Sequence, residues 1–332
     1  MIIPLFVSFK GCPHRCLFCN QRIINGNAYH GVEDAKNQLR TLAGWVRKDP
    51  SNELAFYGGS FTALPLAEQE ALLELVMNYR KAGYFTDLRL STRPDAISPA
   101  NLSLLSAYGV RTVELGVQSL DEATLALLER GHDARCVYEA TKQLHAAGFA
   151  VIHQLMVNLP GETDETLKTT LRGVTAMHPE GCRIYPLLVI EGTKLADLYR
   201  KGCFTPLDLG ETVRRCAYLY EGLTAAGIPV IRMGLQPDED LRAPGRILAG
   251  PFHPSFGELV HSYLWQKKID ALIAEQGSGN YNMVITVPDR LSSIVRGQHR
   301  SNIRHWEASG RIKVQVEAGC QFEVTFHDRK MV

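Results

Sequence analysis

The 332-residue chain carries 36 Lys or Arg against 35 Asp or Glu, with 45% hydrophobic and 21% charged residues. This excludes extensive disorder and a polyanion gripped by the whole surface, while leaving room for a local basic patch. No apolar run approaches membrane-spanning length, the opening MIIPLFVSF has no basic leader, and eight cysteines with three clustered do not suggest a secreted disulfide framework, so the expectation is a cytoplasmic protein with reduced thiols.

In chain order, a first strand at 4–9 runs straight into Cys12, Cys16 and Cys19. Short apolar runs rich in β-branched or aromatic residues recur at 53–57, 87–92, 110–117, 150–158, 182–190 and 228–233. Amphipathic stretches at 33–48, 64–82, 99–108, 121–129, 134–147, 163–177 and 206–226 alternate with them. This alternation predicts βα units around a parallel sheet. The second stretch ends on Gly83, a helix stop. Six such units predict an α/β fold, a partial (β/α)6 TIM-type barrel over 1–235, with chemistry at the C-terminal ends of the strands. Beyond it, 236–276 reads as a Pro- and Gly-rich linker followed by a helix at 255–275. Residues 277–332 then form a small α+β domain: strand YNMVITV, two helices joined at RGQHR, and strands RIKVQVE and QFEVTFH.

A C-x-x-x-C-x-x-C loop can place three thiolates on three irons of a 4Fe-4S cluster and leave the fourth iron open. A structural zinc site would want four ligands and usually paired knuckles. No second C-x-x-C exists, and His14, the remaining ligand at hand, sits awkwardly on the same tight loop. Cys136, Cys182, Cys203, Cys216 and Cys320 are scattered singly and read as small apolar residues.

With Phe18 before the third cysteine and PLFVSF leading in, the loop resembles that of the radical S-adenosylmethionine (radical SAM) superfamily. YGGSFT at 57–62, STRPD at 91–95, VELGVQS at 113–119, ERGH at 129–132, LMVNLPGET at 155–163 and IYPLLVIEGTKL at 184–195 extend the resemblance over about 1–235. In order and wording these are similar to the radical SAM domain of the Elongator catalytic subunit, a tRNA-modifying enzyme. They are more loosely similar to oxygen-independent coproporphyrinogen III dehydrogenase.

The resemblance implies a 4Fe-4S cluster on Cys12, Cys16 and Cys19, with the amino and carboxylate groups of SAM on the open iron. It implies an external one-electron donor of flavodoxin or ferredoxin type, and reductive cleavage of SAM to a 5'-deoxyadenosyl radical while the protein orients and shields the cofactor. Gly58 and Gly59 would meet the methionyl amino group, with Ser60, Thr62 or a backbone carbonyl accepting its hydrogen bonds; many relatives carry glutamate where Ser60 stands. Gln118 would bond the ribose, and the Arg130 fork would pair with the methionyl carboxylate. From the residues alone, the glycine pair is equally a simple turn and Arg130 equally a helix-end salt bridge. Arg93 either lines the mouth or pairs with Asp95. Where relatives commonly read D-L-x-x-G-L-P-G, this chain has Gln154 and Asn158, so contacts at that strand do not carry over. His153 reads as a satisfied core residue.

Nothing in the tail has the length or the phosphate-cradling pattern of the acetyltransferase domain that follows the Elongator barrel. The tail instead looks like the strand-helix-loop-helix-strand core of a KH module, whose G-x-x-G loop clamps nucleic-acid backbone. Here the loop is Gly297-Gln298-His299-Arg300, without the second glycine. From Arg290 to Lys313 there are six Lys or Arg and one acidic residue, Glu307. Arg296, Gly297, Arg300 and Arg304 are the candidate RNA contacts, and a structural cap with a solvated basic face is the alternative. The functional expectation is a radical SAM enzyme acting on RNA, specifically tRNA, with no membrane partner. The alternatives are the same chemistry on a small molecule or peptide, and a haem chaperone related to the coproporphyrinogen dehydrogenases.

Overall fold

The computed structural model describes residues 1–8, 10–25, 29–235, 241 and 243–328. Phe9 of the expected first strand, most of the 236–242 stretch of the expected linker and the last four residues lie outside the described set. The chain divides into two compact units, Met1–Arg215 with Leu219–Pro254, and Ser255–Val332 with Cys216–Tyr218.

The first unit is built on a seven-stranded sheet. Its strands are β1 (Ile2–Phe6), β2 (Glu53–Tyr57), β3 (Asp87–Thr92), β4 (Val110–Gln118), β5 (Ala150–Val157), β6 (Gly181–Pro186) and β8 (Val230–Met233), with the two-residue β7 (Val189–Ile190) set apart. The seven are neighbours in chain order and every pair is parallel. Parallel neighbours need a crossover, and helices such as Leu66–Lys81, Ala134–Ala146 and Asp164–Met177 supply it. β1 and β8 are edges that do not pair with one another, so the curled sheet is a partial, not a closed, barrel. The helix starts follow from short polar side chains: Ser98, Asp121, Asp133, Thr163, Thr193 and Asp208 each accept a hydrogen bond from a first-turn backbone N–H. Thr163 and Thr166 close a reciprocal capping box.

Alternate strand residues divide between two faces. Leu54, Phe56, Leu88, Leu90, Val113, Leu115 and Leu155 are essentially inaccessible and form the core beneath the helices. The strand expected at 182–190 is broken. β6 ends at Pro186, which has no N–H to give to a ladder, and β7 instead pairs antiparallel with β9 (Ile247–Ala249). The run at 228–233 supplies the seventh parallel strand, β8.

The second unit contains the helix Phe256–Gln276, β10 (Tyr281–Val287), helices Asp289–Arg296 and Ser301–Glu307, β11 (Ile312–Ala318) and β12 (Glu323–Asp328). Its sheet order is β11-β10-β12, with β11 parallel and β12 antiparallel to β10. Met283, Ile285 and Val287, two residues apart on β10, share a core with Ile269, Val295, Ile303 and Trp306. The buried Asn302 amide ties this core together by donating to Ser262 O, Ser262 Oγ and Val295 O, each at 3.0 Å. Among the described residues, no helix is long and apolar enough to cross a membrane.

Candidate functional site

The inward positions of the half-barrel line a cavity of about 640 Å³ that also takes in Cys12, Cys16 and Cys19. Gly58 and Gly59 after β2, Gln118 and Arg130 line the same space. These sequence-expected residues, spread over more than a hundred positions, are therefore brought together. Ser60 is not among the lining residues.

The cysteine loop is pinned by backbone. Leu17 N–H donates to Leu128 O at 3.0 Å, Leu195 N–H to Leu17 O at 2.9 Å and Ser60 N–H to Lys10 O at 3.0 Å. Its approach to the segment after β2 requires glycine on both sides. A Cβ on Gly59 would stand 2.3 Å from Val7 O and 2.6 Å from Lys10 O, and one on Gly11 would stand 2.1 Å from Ser60 O. Gly59 thus makes room for the loop that carries the cysteines. Burial, then the charge of Cys16, raises the Cys12 thiol, and the same two causes push Cys19 up to about 12. Such thiols give up their protons when a cationic centre compensates. Among the described residues, no three His, Cys, Asp or Glu side chains converge on a single ion. Three thiols lining one cavity instead suit a cluster that takes one thiolate per iron.

Arg130 is 5% exposed. Its Nη1 donates to Cys16 Sγ at 3.0 Å and its Nη2 to Gly116 O at 2.5 Å, while its buried Nε has no partner. Gly116 permits this, since a Cβ there would lie 3.2 Å from Arg130 Nη2. Gln118 ends β4 at φ 66 after a register shift, and Ser119 N–H closes onto Val117 O at 2.9 Å. That is a left-handed γ-turn, a strained conformation of the kind that collects at functional sites. Arg93 forms a bidentate pair with Asp95 at 2.8 and 2.9 Å and also donates to Arg130 O. It lines the cavity as well, so both readings of Arg93 describe it. The Ser60 hydroxyl is buried, 2.9 Å from Thr92 Oγ1 and accepting from Arg93 N–H, and Thr62 Oγ1 lies 2.6 Å from Thr92 Oγ1. Both hydroxyls are engaged beneath the site.

The two amides that depart from the relatives do separate work. Asn158 Nδ2 donates to Leu187 O and its Oδ1 accepts from Leu207 N–H, stitching loops together. Gln154 Nε2 donates to Glu114 Oε2 at 2.8 Å. Glu114 is the centre of a network that sequence reasoning missed. Fully buried, it accepts from Tyr57 Oη at 2.7 Å, Arg89 Nη1 at 2.8 Å and Arg183 Nη2 at 3.0 Å. Burial pulls its pKa up, but Arg183 and the hydrogen bonds from Gln154 and Tyr57 outweigh that and hold it below the usual carboxylate range. The available signal was a charged residue in the interior of each of three apolar strands: Arg89, Glu114 and Arg183.

In the second unit, Arg300 and Arg304 are exposed, whereas Arg296 Nη2 is tied to Val316 O at 2.7 Å. His299 and Arg300 take φ of 50 and 61. Arg300, at the position of the missing second glycine, thus adopts the left-handed backbone that glycine favours.

Residues 6–174 match the Radical SAM superfamily and residues 179–266 the Radical_SAM C-terminal domain. The chain is 30% identical over 218 residues to an uncharacterized protein of Methanocaldococcus jannaschii, covering 62% of this chain and 66% of that one. It is 27% identical over 307 residues to the tRNA uridine(34) acetyltransferase of Methanocaldococcus infernus, covering 80% and 56%. Against human Elongator complex protein 3 the identity is 35% over 134 residues, covering 39% and 24%. The chain thus spans from about a quarter to just under two thirds of the length of these relatives. An N-terminally truncated Elp3 of Methanocaldococcus infernus superposes with a TM-score of 0.63 at 24% identity, over 80% of this chain and 63% of that one. Coproporphyrinogen III oxidase of Escherichia coli superposes with a TM-score of 0.52 at 20% identity, over 68% and 52%; both likenesses are of fold. With its half-barrel, its three-cysteine loop and a family match over half its length, the chain belongs to the radical SAM superfamily, whose enzymes use a 4Fe-4S cluster and S-adenosylmethionine.

Proposed function

We propose that this radical SAM enzyme modifies RNA, with tRNA as its substrate. The observation that carries the reading is the similarity, across 80% of the chain, to a protein described as a tRNA uridine(34) acetyltransferase. The exposed Arg300 and Arg304 beside the left-handed 299–300 turn support it.

When bound, the cluster and SAM supply one-electron cleavage and a carbon-centred radical that abstracts hydrogen. Cys12, Cys16 and Cys19 would hold the cluster, and a flavodoxin- or ferredoxin-type donor in a reducing cytoplasm would supply its electron. Arg130, with its Nε unengaged, takes the methionyl carboxylate. Gln118 takes the ribose. Since the Ser60 and Thr62 hydroxyls are engaged with Thr92, a backbone carbonyl of the Gly58–Gly59 segment accepts from the methionyl amino group.

The test compares modified nucleosides in tRNA from cells with and without the protein, alongside sequencing of RNA crosslinked to the anaerobically isolated enzyme. An unchanged nucleoside profile together with no enriched RNA would overturn the reading and leave a small-molecule or peptide substrate.

A further inference from the structure

β6 and β8 set Arg183 and Arg232 opposite one another in register, and both line the lumen. Parallel strands run about 4.8 Å apart, and like charges directly opposite each other destabilise a sheet. Arg183 is compensated: it reaches the Glu114 carboxylate at 2.9 and 3.0 Å. Glu114 is already shared with Arg89, which holds Glu53 as well. Arg232 is half-buried, and its Nε donates to Gly234 O at 3.3 Å. Among the described residues, no carboxylate lies within ion-pair distance of it. A guanidinium that lines this cavity beside a second one, with no counter-charge among the described residues, is completed by an anion.

We propose that the lumen contains an anion-binding subsite at Arg232, flanked by Arg183 and Tyr185, that seats a phosphate or carboxylate of the substrate. It is separate from Arg130. That guanidinium sits on Gly116 of β4, three strands from β8, and its Nη1 and Nη2 already bond Cys16 Sγ and Gly116 O. The proposal rests on the lumen being the substrate chamber of a radical SAM enzyme. It adds the charge of the group seated there, and it holds for a nucleotide phosphate or a small carboxylate.

The experiment is calorimetric titration of anaerobically reconstituted enzyme, saturated with SAM so that Arg130 is engaged, with uridine 5'-monophosphate, uridine and malonate. Saturable binding of one anion is expected, weakened about tenfold or more in Arg232→Gln, as loss of a charge-assisted bond implies. Arg232→Lys should bind more tightly than Arg232→Gln, since the charge remains although the fork is lost. Preference for the monophosphate over both uridine and malonate identifies a phosphate source, and preference for malonate a carboxylate source. Absence of saturable binding of either anion, or equal binding by wild type and Arg232→Gln, overturns the proposal. Should Arg232→Gln fail to fold, wild-type binding that does not weaken from about 50 to about 300 mM salt overturns it as well. An Arg300→Ala/Arg304→Ala variant should bind the anion normally, so loss of RNA binding there and loss of anion binding at Arg232 report on the two readings separately.

Discussion

Arg130 donates to Cys16 Sγ at 3.0 Å, although 114 residues separate them in the chain. The contact joins the residue expected to read SAM to one of the residues expected to hold iron. Arg130→Ala should weaken SAM binding by about 1.5–3 kcal/mol, the usual cost of a lost charge-assisted hydrogen bond, while iron is retained. Equilibrium binding of SAM to the reconstituted variant measures this, and wild-type affinity would remove Arg130 from the SAM site. Gln118→Ala should act in the same direction.

Cys12→Ala, Cys16→Ala and Cys19→Ala should each abolish retention of the roughly four irons per chain that one cluster holds. With one thiolate expected per iron, no neighbour would substitute. Iron and sulfide analysis after anaerobic reconstitution checks this, and an intact cluster in any one variant would refute the assignment of that cysteine.

Gly59→Ala should lower iron retention without touching a ligand, because the new Cβ would press on two backbone oxygens, Val7 O at 2.3 Å and Lys10 O at 2.6 Å, and displace the cysteine loop. Gly44→Ala, in the helix Val32–Trp45 with nothing within 4 Å of the added Cβ, should instead stabilise the protein by about 0.5–1 kcal/mol. Iron content and thermal melting of the pair give the comparison. Equal iron in Gly59→Ala and wild type would show that the close approach does not matter.

The Arg300→Ala/Arg304→Ala double variant should bind RNA more weakly and with a flatter salt dependence. The log-log slope should fall by about 1.4 units, at about 0.7 per single-strand phosphate contact. Arg296→Ala should act differently: its guanidinium bonds Val316 O, so its loss should lower stability first. Salt titrations of binding decide the first point, and identical slopes in wild type and double variant would leave the second unit a structural cap.

His153 should make the protein acid-sensitive. Its Nε2 lies 2.9 Å from Thr141 Oγ1 and its Nδ1 is buried without a partner. Burial, aided by the nearby charge of His145, lowers its pKa to about 3. Below the unfolded value of about 6.5 the unfolded chain takes the proton first, so stability falls by up to about 1.4 kcal/mol per pH unit on acidification toward the folded pKa. His153→Leu should flatten this limb. Thr141 Oγ1 still donates to Val137 O at 2.8 Å, so no donor is orphaned. Denaturant melts of cluster-free protein between pH 7 and 5, with the same slope in both proteins, would assign the acid sensitivity elsewhere.

The sequence alone determined the parts of this protein that depend on local pattern. The spacing of Cys12, Cys16 and Cys19 and the succession of apolar strands and amphipathic helices are encoded within short windows, as are the turn chemistry and the helix caps at Asp121, Asp133 and Thr163. Tertiary structure decided what depends on the curl of the sheet. Residues distant in the chain face one lumen only because alternate strand positions point inward around a common centre. The ion network on Glu114, the Arg130–Cys16 contact and the in-register pair Arg183 and Arg232 all arise there. Tertiary packing in each unit also settled the tasks of residues whose identities were plain but whose directions were not. Gly59 yields space to the cysteine loop, and the Ser60 hydroxyl turns to Thr92. Asn158 ties loops together, and Arg296 closes onto β11. Side-chain direction and burial at these positions are set by neighbours brought up from other strands, and no short window of sequence contains those neighbours.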